Sequence, residues 1–404
     1  MSVAWHESRE AAYRLGAEAL TGVEAVALPD AVGRTLAADL VAAVPLPGFD
    51  TSAMDGWAVC GDGPWVVIGE SLAGRPFEGA FAGSGPGQAV AIATGARVPS
   101  GSTGIVRTEH GIRDDDGRVS CARPFEGRDI RPAGEECAIG DTLARSGAVA
   151  SPALVGLAAA TGRDALEVRV APSVSVVIFG DEIARSGAAG PATVRDSLGP
   201  QVPGWLRLLG AGAVALSYAG DTLDEHVAAI GAAAGEDDVV VTTGGTAAGP
   251  VDYLHAAIDA LGGTYVADSV AVRPGHPMVL ASIEREGRTV PLLGLPGNPQ
   301  SAVVAIMSLG WPLIAGMLGQ KLPVLGRVSL GEDWSAPEGE HRLVAGARSD
   351  AGVFVASAHL GSAMLRGLVD AEGFAIIPPG GAVAGDKAGW LPLPAARPAM
   401  GGVR

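Results

Sequence analysis

From Ser173 onward the chain alternates short apolar runs with glycine-punctuated loops and helical stretches, and no other feature restricts its fold as much. The runs "VSVVIFG", "AVALSY", "DVVVTTGG" and "TVPLLGL" read as strands. Between them "VPGWLRLLGAG", "DTLDEHVAAIGAAAG" and "VDYLHAAIDALGG" read as helices. Apolar strands joined by helical crossovers predict a parallel sheet, so residues 171–320 are assigned to an α/β domain. The uncharged stretch from Ala302 to Leu318 is short for a membrane span and contains Gly310 and Pro312. It reads as a buried helix with a kink.

The rest of the chain has other textures. Residues up to about Leu40 read as helix, and "SGAVASPALVGLAAATG" returns to helix, so the two are expected to pack together as a linker domain of residues 1–50 and 141–170. Between them, "VPLPGFDTSAMDGWAV" leads into a β-rich region, residues 51–140, where strands such as "GQAVAIA" alternate with glycine turns. "GSGPG" at residues 83–87 precedes its strand and reads as a turn. A last β-rich segment, residues 321–404, closes the chain. The expected class is therefore multidomain α/β plus β, with a β-rich insertion and a C-terminal β domain.

Composition narrows the function. A length of 404 residues provides for several cores, and 60 glycines provide many tight turns and many places where a ligand can approach the main chain. A formal net charge of −16 disfavours nucleic acid as a partner, because phosphate neutralisation needs a basic face. No membrane partner is expected either. The first residues lack an apolar signal region, and three widely spaced cysteines, Cys60, Cys121 and Cys137, cannot form an even disulfide framework. Both point to the cytoplasm.

In an open parallel sheet the loops at the carboxyl ends of the strands form the ligand crevice. Asp181 and Glu182 follow one strand, Asp221 the next and Asp252 a third. Taken singly, Asp221 reads as a cap for the helix opened by Thr222 to Glu225, and Asp252 as a favourable charge near a helix start. Taken together on one edge, the carboxylates suggest an oxygen-ligand cation such as Mg2+. Gly244, Gly245 and Gly249 let main-chain N–H groups point inward before a helix, which suits phosphate or another oxyanion. "LPGNPQSA", with Asn298 and Ser301, repeats the arrangement, so the ligand is extended. Neither loop is a P-loop or a dinucleotide fingerprint, which disfavours a nucleotide-dependent oxidoreductase.

"SAMDGWAV", "ATGARVPSG", "GDE", "VRDS", "TTGGTAAGPVDY", "RPGHP", "LPGNPQSA" and "GSAMLRGL" resemble, in order and rough spacing, the molybdopterin molybdenumtransferase family, which includes the C-terminal part of gephyrin. The resemblance spans nearly the whole chain. It implies an elongated homodimer of four-domain subunits that uses Mg2+ to insert molybdate into adenylylated molybdopterin with release of AMP. This is the last step of molybdenum cofactor synthesis. A molybdopterin adenylyltransferase and molybdoenzyme apoproteins are the further partners implied.

By the same resemblance Asp55 and Thr94 face the site from the partner subunit, and Glu182, Asp221 and Asp252 surround metal and molybdate. Substrate contacts fall to Arg195, Asp196, Ser197, Gly244, Gly245, Gly249, Arg273, His276, Pro296, Gly297, Asn298, Ser301, Ser362 and Arg366. Glu136 stands where the family usually has Asp. Other departures remove polar side chains: "STGDE" is here "IFGDE" with Phe179, "RDSN" ends in Leu198, and "SGGVSxG" is here "TGGTAAG" with Ala247. "KPGKP" has become "RPGHP", which keeps a charge at Arg273 and makes it pH-dependent at His276. These losses leave open a rival reading, a non-catalytic pterin-nucleotide-binding scaffold or carrier.

Overall fold

The computed structural model describes residues 2–79, 81, 87–121, 129–246 and 253–394. Its centre is a six-stranded sheet in the order Val214–Ala219, Val174–Phe179, Val239–Thr243, Arg288–Leu295, Val279–Arg285, Thr264–Ala267. The first four strands are parallel, as expected of strands that read as continuous apolar runs. Every residue of Val174–Phe179 and of Val239–Thr243 is buried. The fifth strand, Val279–Arg285, runs antiparallel to both its neighbours, a correction to a wholly parallel sheet. A two-residue hairpin turn causes the reversal: Arg285 pairs with Arg288, and both Glu286 (φ 52°) and Gly287 (φ 75°) take the left-handed conformation that such turns require.

The opening helix spans Trp5–Glu18 and does not continue to Leu40. After Thr21 and Gly22 the chain enters the strand Val23–Ala27, which pairs with Ala165–Arg169, so a partner far along the sequence overrides local helix preference. Nor does the helix take the expected partner. It packs on the helix Trp311–Met317, with their backbones touching through two glycines. A Cβ on Gly16 would overlap the Leu313 carbonyl, and one on Gly316 would overlap the Tyr13 carbonyl. The Trp5 indole N–H donates to Ser308 Oγ at 2.9 Å from the same face. Helix Pro152–Ala160 packs instead near the short turn Leu28–Asp30.

The long apolar stretch is, as expected, a core helix: the window within Pro299–Met317 is 94% buried. The expected interruption takes the form of a π turn at Ile306–Gly310, just before Pro312. Proline has no N–H to donate to the preceding turn, and the wider π turn absorbs that gap.

Two further β assemblies complete the fold. One is a six-stranded sheet ordered Gly104–Arg107, Gly56–Cys60, Gln88–Ile92, Trp65–Ser71, Arg118–Cys121, Gly111–Arg113. The turn read at residues 83–87 falls almost wholly outside the described residues. The other is a closed barrel of Gly326–Leu330, His341–Arg348, Val353–Ala356, Gly373–Ile377 and Lys387–Pro392, shut by the pairing of His341–Arg348 with Gly373–Ile377. Val272 and Arg273 join the barrel edge by pairing with His341 and Arg342. The segment carrying "RPGHP" is therefore fixed to the barrel as well as to the central sheet.

Candidate functional site

The loops at the carboxyl ends of the four parallel strands lie side by side in sheet order. Asp221 follows Val214–Ala219, Gly180 to Glu182 follow Val174–Phe179, Gly244 and Gly245 follow Val239–Thr243, and Pro296 to Asn298 follow Arg288–Leu295. The Asp181 N–H donates to Asp221 Oδ2 at 3.0 Å and joins the first two loops. The Gly244 N–H donates to the Leu295 carbonyl at 3.0 Å, and a Cβ on Gly297 would lie 3.9 Å from the Gly244 Cα. Gly244 (φ 83°) and Gly245 (φ 65°) hold conformations that side chains other than glycine adopt at a cost. One contiguous edge thus offers carboxylates at one end and glycine backbone at the other.

Further candidates reach this edge from elsewhere. Gly275 of the "RPGHP" turn rests on the helix that starts at Pro299: its Cβ would sit 3.3 Å from the Ser301 carbonyl. Ser301 is buried, and the neighbouring Gln300 N–H donates to the Ser362 carbonyl at 3.0 Å, which ties "GSAMLRGL" to the same helix. Asn298 is exposed and makes no capping bond, while Arg366 is exposed at the start of a short helix.

The carboxylate cluster is looser than the sequence suggests. Glu182 is exposed, and Asp221 does not cap the following helix, because Thr222 Oγ accepts from the Glu225 N–H at 3.2 Å and fills that role. Glu225 and Asp181 both lie against Gly220, where a built Cβ would be 2.6 Å from Glu225 Oε2 and 3.0 Å from Asp181 Oδ1. Among the described residues no three His, Cys, Asp or Glu side chains form a metal-binding group. Asp252, Gly249 and Ala247 lie outside the described residues. The donors present are all oxygen, which fits a hard cation held by one or two carboxylates together with ligand oxygens.

Residues 4–162 match the family described as "MoeA N-terminal region (domain I and II)", and residues 175–316 match "Probable molybdopterin binding domain". A molybdopterin molybdenumtransferase of Haemophilus influenzae is 31% identical over 308 residues, 74% of either chain. A relative from Mycobacterium tuberculosis, "Molybdopterin molybdenumtransferase 2", is 33% identical over 293 residues, 69% of this chain and 71% of its own. The chain belongs to the molybdopterin molybdenumtransferase family. Membership gives it a role in molybdenum cofactor biosynthesis. A molybdopterin biosynthesis protein from Pyrococcus horikoshii, 23% identical, shares the fold with a TM-score of 0.78 over 98% of this chain and 100% of its own.

As a molybdopterin molybdenumtransferase family member the chain departs from the motifs in ways the structure explains. Phe179, in place of a hydroxyl, stacks on His226 with ring centroids 3.6 Å apart and planes 8° from parallel. His226 is fully buried, and its Nδ1 lies 2.9 Å from the Thr222 carbonyl, so the hydrogen is assigned to Nδ1. Its Nε2 has no partner among the described residues and lies 3.6 Å from where a Gly245 Cβ would be. Sequence reasoning missed His226, although its spacing to the buried Ile230 and Ala233 puts a polar side chain on the inner face of its helix. Leu198 joins the main core.

Asp196 is buried and bonded inward. Its Oδ1 accepts the Leu198 and Gly199 N–H groups, each at 2.9 Å, and its Oδ2 accepts the Tyr218 hydroxyl at 2.8 Å. Burial first, then the bond to Asp196, pushes the Tyr218 phenol above its ordinary pKa. Asp196 therefore shapes the loop that carries Arg195 and Ser197. Arg195 is exposed and donates to the Ala184 carbonyl at 2.8 Å.

Asp55 and Thr94 stand together on the β-rich sheet. Asp55 Oδ1 accepts from the Thr94 N–H at 2.6 Å and from its hydroxyl at 3.0 Å, and these bonds, the backbone one first, hold the carboxyl below its usual pKa. Among the described residues no hydrogen bond or ion pair links either to the central sheet's edge. Glu136 is also exposed, with its N–H bonded to the Leu46 carbonyl.

Sequence reasoning also missed Glu340. Its Oε2 accepts from Arg273 Nε at 2.7 Å, and its Oε1 lies 3.4 Å from His276 Nδ1. That second contact is one of proximity, because the buried Nδ1 makes no hydrogen bond among the described residues. Glu340 precedes a barrel strand and stands 64 or more residues from either partner, so only the fold reveals the contact.

Proposed function

We propose that the chain transfers molybdenum from molybdate to adenylylated molybdopterin and releases AMP, as a Mg2+-dependent homodimer. The carrying observation is the joined edge, where the Asp181 N–H meets Asp221 at 3.0 Å and Gly297 abuts Gly244. Backbone N–H groups of the glycine loops hold the anionic and pterin portions of the ligand, and exposed Arg273 adds positive charge. Glu182 and Asp221, with Asp252, would hold the cation, which supplies neutralisation of pyrophosphate charge. Asp55 and Thr94, exposed on a separate sheet, complete the site from the partner subunit. The test is AMP release from adenylylated molybdopterin, measured with and without molybdate and Mg2+. Release that needs all three components supports the proposal.

A second reading is favoured by one observation. Phe179 lies flat on His226 and offers no hydroxyl to the cleft, which suits a protein that binds the pterin nucleotide without turning it over. Tight binding of adenylylated molybdopterin with no AMP release under any condition would select this scaffold reading.

A further inference from the structure

We propose that Glu340 is a positioning residue for the substrate oxyanion: from the C-terminal barrel it holds the Arg273 guanidinium and the His276 imidazole side by side where their turn rests on Ser301. The inference rests on the proposed reading of "RPGHP" as substrate-binding and adds a residue from another domain to it.

Each carboxylate oxygen has its own partner, Oε2 taking Arg273 Nε at 2.7 Å and Oε1 facing His276 Nδ1 at 3.4 Å. Arg273 spends only its Nε on this contact, so among the described residues its two terminal nitrogens take no acceptor, and its side chain is 59% exposed. With Nδ1 facing the carboxylate, the imidazole turns its Nε2 the other way, and Nε2 likewise has no hydrogen bond among the described residues. Arg273 thus keeps its outward N–H groups and His276 its Nε2 while one carboxylate lies against the inner edge of both side chains. Glu340 is itself fixed, because the next residue, His341, donates its N–H to the Ala271 carbonyl at 3.0 Å and pairs with Val272. Gly275, between the two side chains in sequence, is held close to Ser301 and Val304. Barrel and turn therefore meet at one carboxylate, with the helix packed against the turn, and the carboxylate orients the pair much as outer-shell carboxylates orient metal-bound histidines.

The full-length protein is titrated with inorganic pyrophosphate by calorimetry, and KM and kcat for adenylylated molybdopterin are measured in parallel. Glu340→Gln is expected to raise both the pyrophosphate Kd and KM about ten-fold, the scale at which orienting partners act. The kcat should hold, and Glu340→Asp should recover part of the loss. In an Arg273→Gln/His276→Gln background Glu340→Gln should add nothing, because the residue acts through that pair. An equal loss in both backgrounds overturns the inference, and so does tighter binding by Glu340→Gln, which would make the carboxylate a competitor of the anion. If Arg273→Gln weakens binding and Glu340→Gln does not, the inference alone falls. If Arg273→Gln changes neither Kd nor KM, the substrate-binding reading of the turn fails and the inference fails with it.

Discussion

Gly297 faces Gly244 across the sheet edge so closely that a Cβ on Gly297 would lie 3.9 Å from the Gly244 Cα. The two glycines serve different ends, and their substitutions should separate. Gly244→Ala forces a side chain into the left-handed region at φ 83°, which costs about 1–2 kcal/mol of stability. Gly297→Ala meets ordinary space, so its stability should stay within about 0.5 kcal/mol of the parent. Its methyl stands against Gly244 at the exposed loop edge and should weaken pterin-nucleotide binding. Urea denaturation and a binding titration of both variants check the pair.

Phe179→Ala removes a ring packed in a buried cluster and stacked on His226. A loss of about 3–5 kcal/mol is expected, as for other buried aromatic truncations. Chemical denaturation measures it, and a loss below 1 kcal/mol would show that the stack is incidental.

Asp55 should act on activity far more than on stability. Its folded pKa is depressed, so its contribution to stability is present above the unfolded value of about 3.9 and disappears as pH falls through the lower folded value. Melting curves of wild type and Asp55→Asn should therefore converge in acid, while activity at neutral pH is lost. If the site is shared between subunits, mixing Asp55→Ala with Asp221→Ala protein should restore part of the activity. No recovery despite proven subunit exchange would place each site within one chain.

His6 and His341 meet edge to face with centroids 4.9 Å apart, joining the first helix to the barrel. Burial lowers both pKa values, helped by Arg9 at His6 and by His6 at His341, while Glu10 opposes the shift at His6. Depressed histidines leave stability intact above the unfolded pKa of about 6.5 and subtract from it as pH falls through the folded values. The melting temperature should drop between about pH 7 and pH 5, and His341→Phe should flatten that drop. Parallel profiles would contradict the assignment.

Much of this was legible in the sequence because three of the four parallel strands are almost wholly buried, only the edge strand Val214–Ala219 being open, and the charges fall just beyond the strand ends. Asp181, Glu182 and Asp221 could be placed at one edge by counting to the strand ends. The hairpin at Glu286 and Gly287 was missed because glutamate seldom takes a left-handed turn position. The opening helix was read too long because the strand Val23–Ala27 is largely exposed and carries no inward pattern; its partner lies over a hundred residues away. Glu340 was invisible as a site residue for a related reason, and helical spacing alone marked His226 as inward-facing. Their meaning comes from contacts between elements, and neither sits in a motif.

The central claim is that the carboxylate edge supports metal-dependent release of AMP, and Asp221 tests it most directly. Asp221→Ala gives up one hydrogen bond from the Asp181 N–H, worth about 1 kcal/mol, so the fold should survive. AMP release from adenylylated molybdopterin with molybdate and Mg2+ should be abolished in Asp221→Ala while wild-type release requires both. Wild-type release that ignores Mg2+, or undiminished release by Asp221→Ala, would contradict the account.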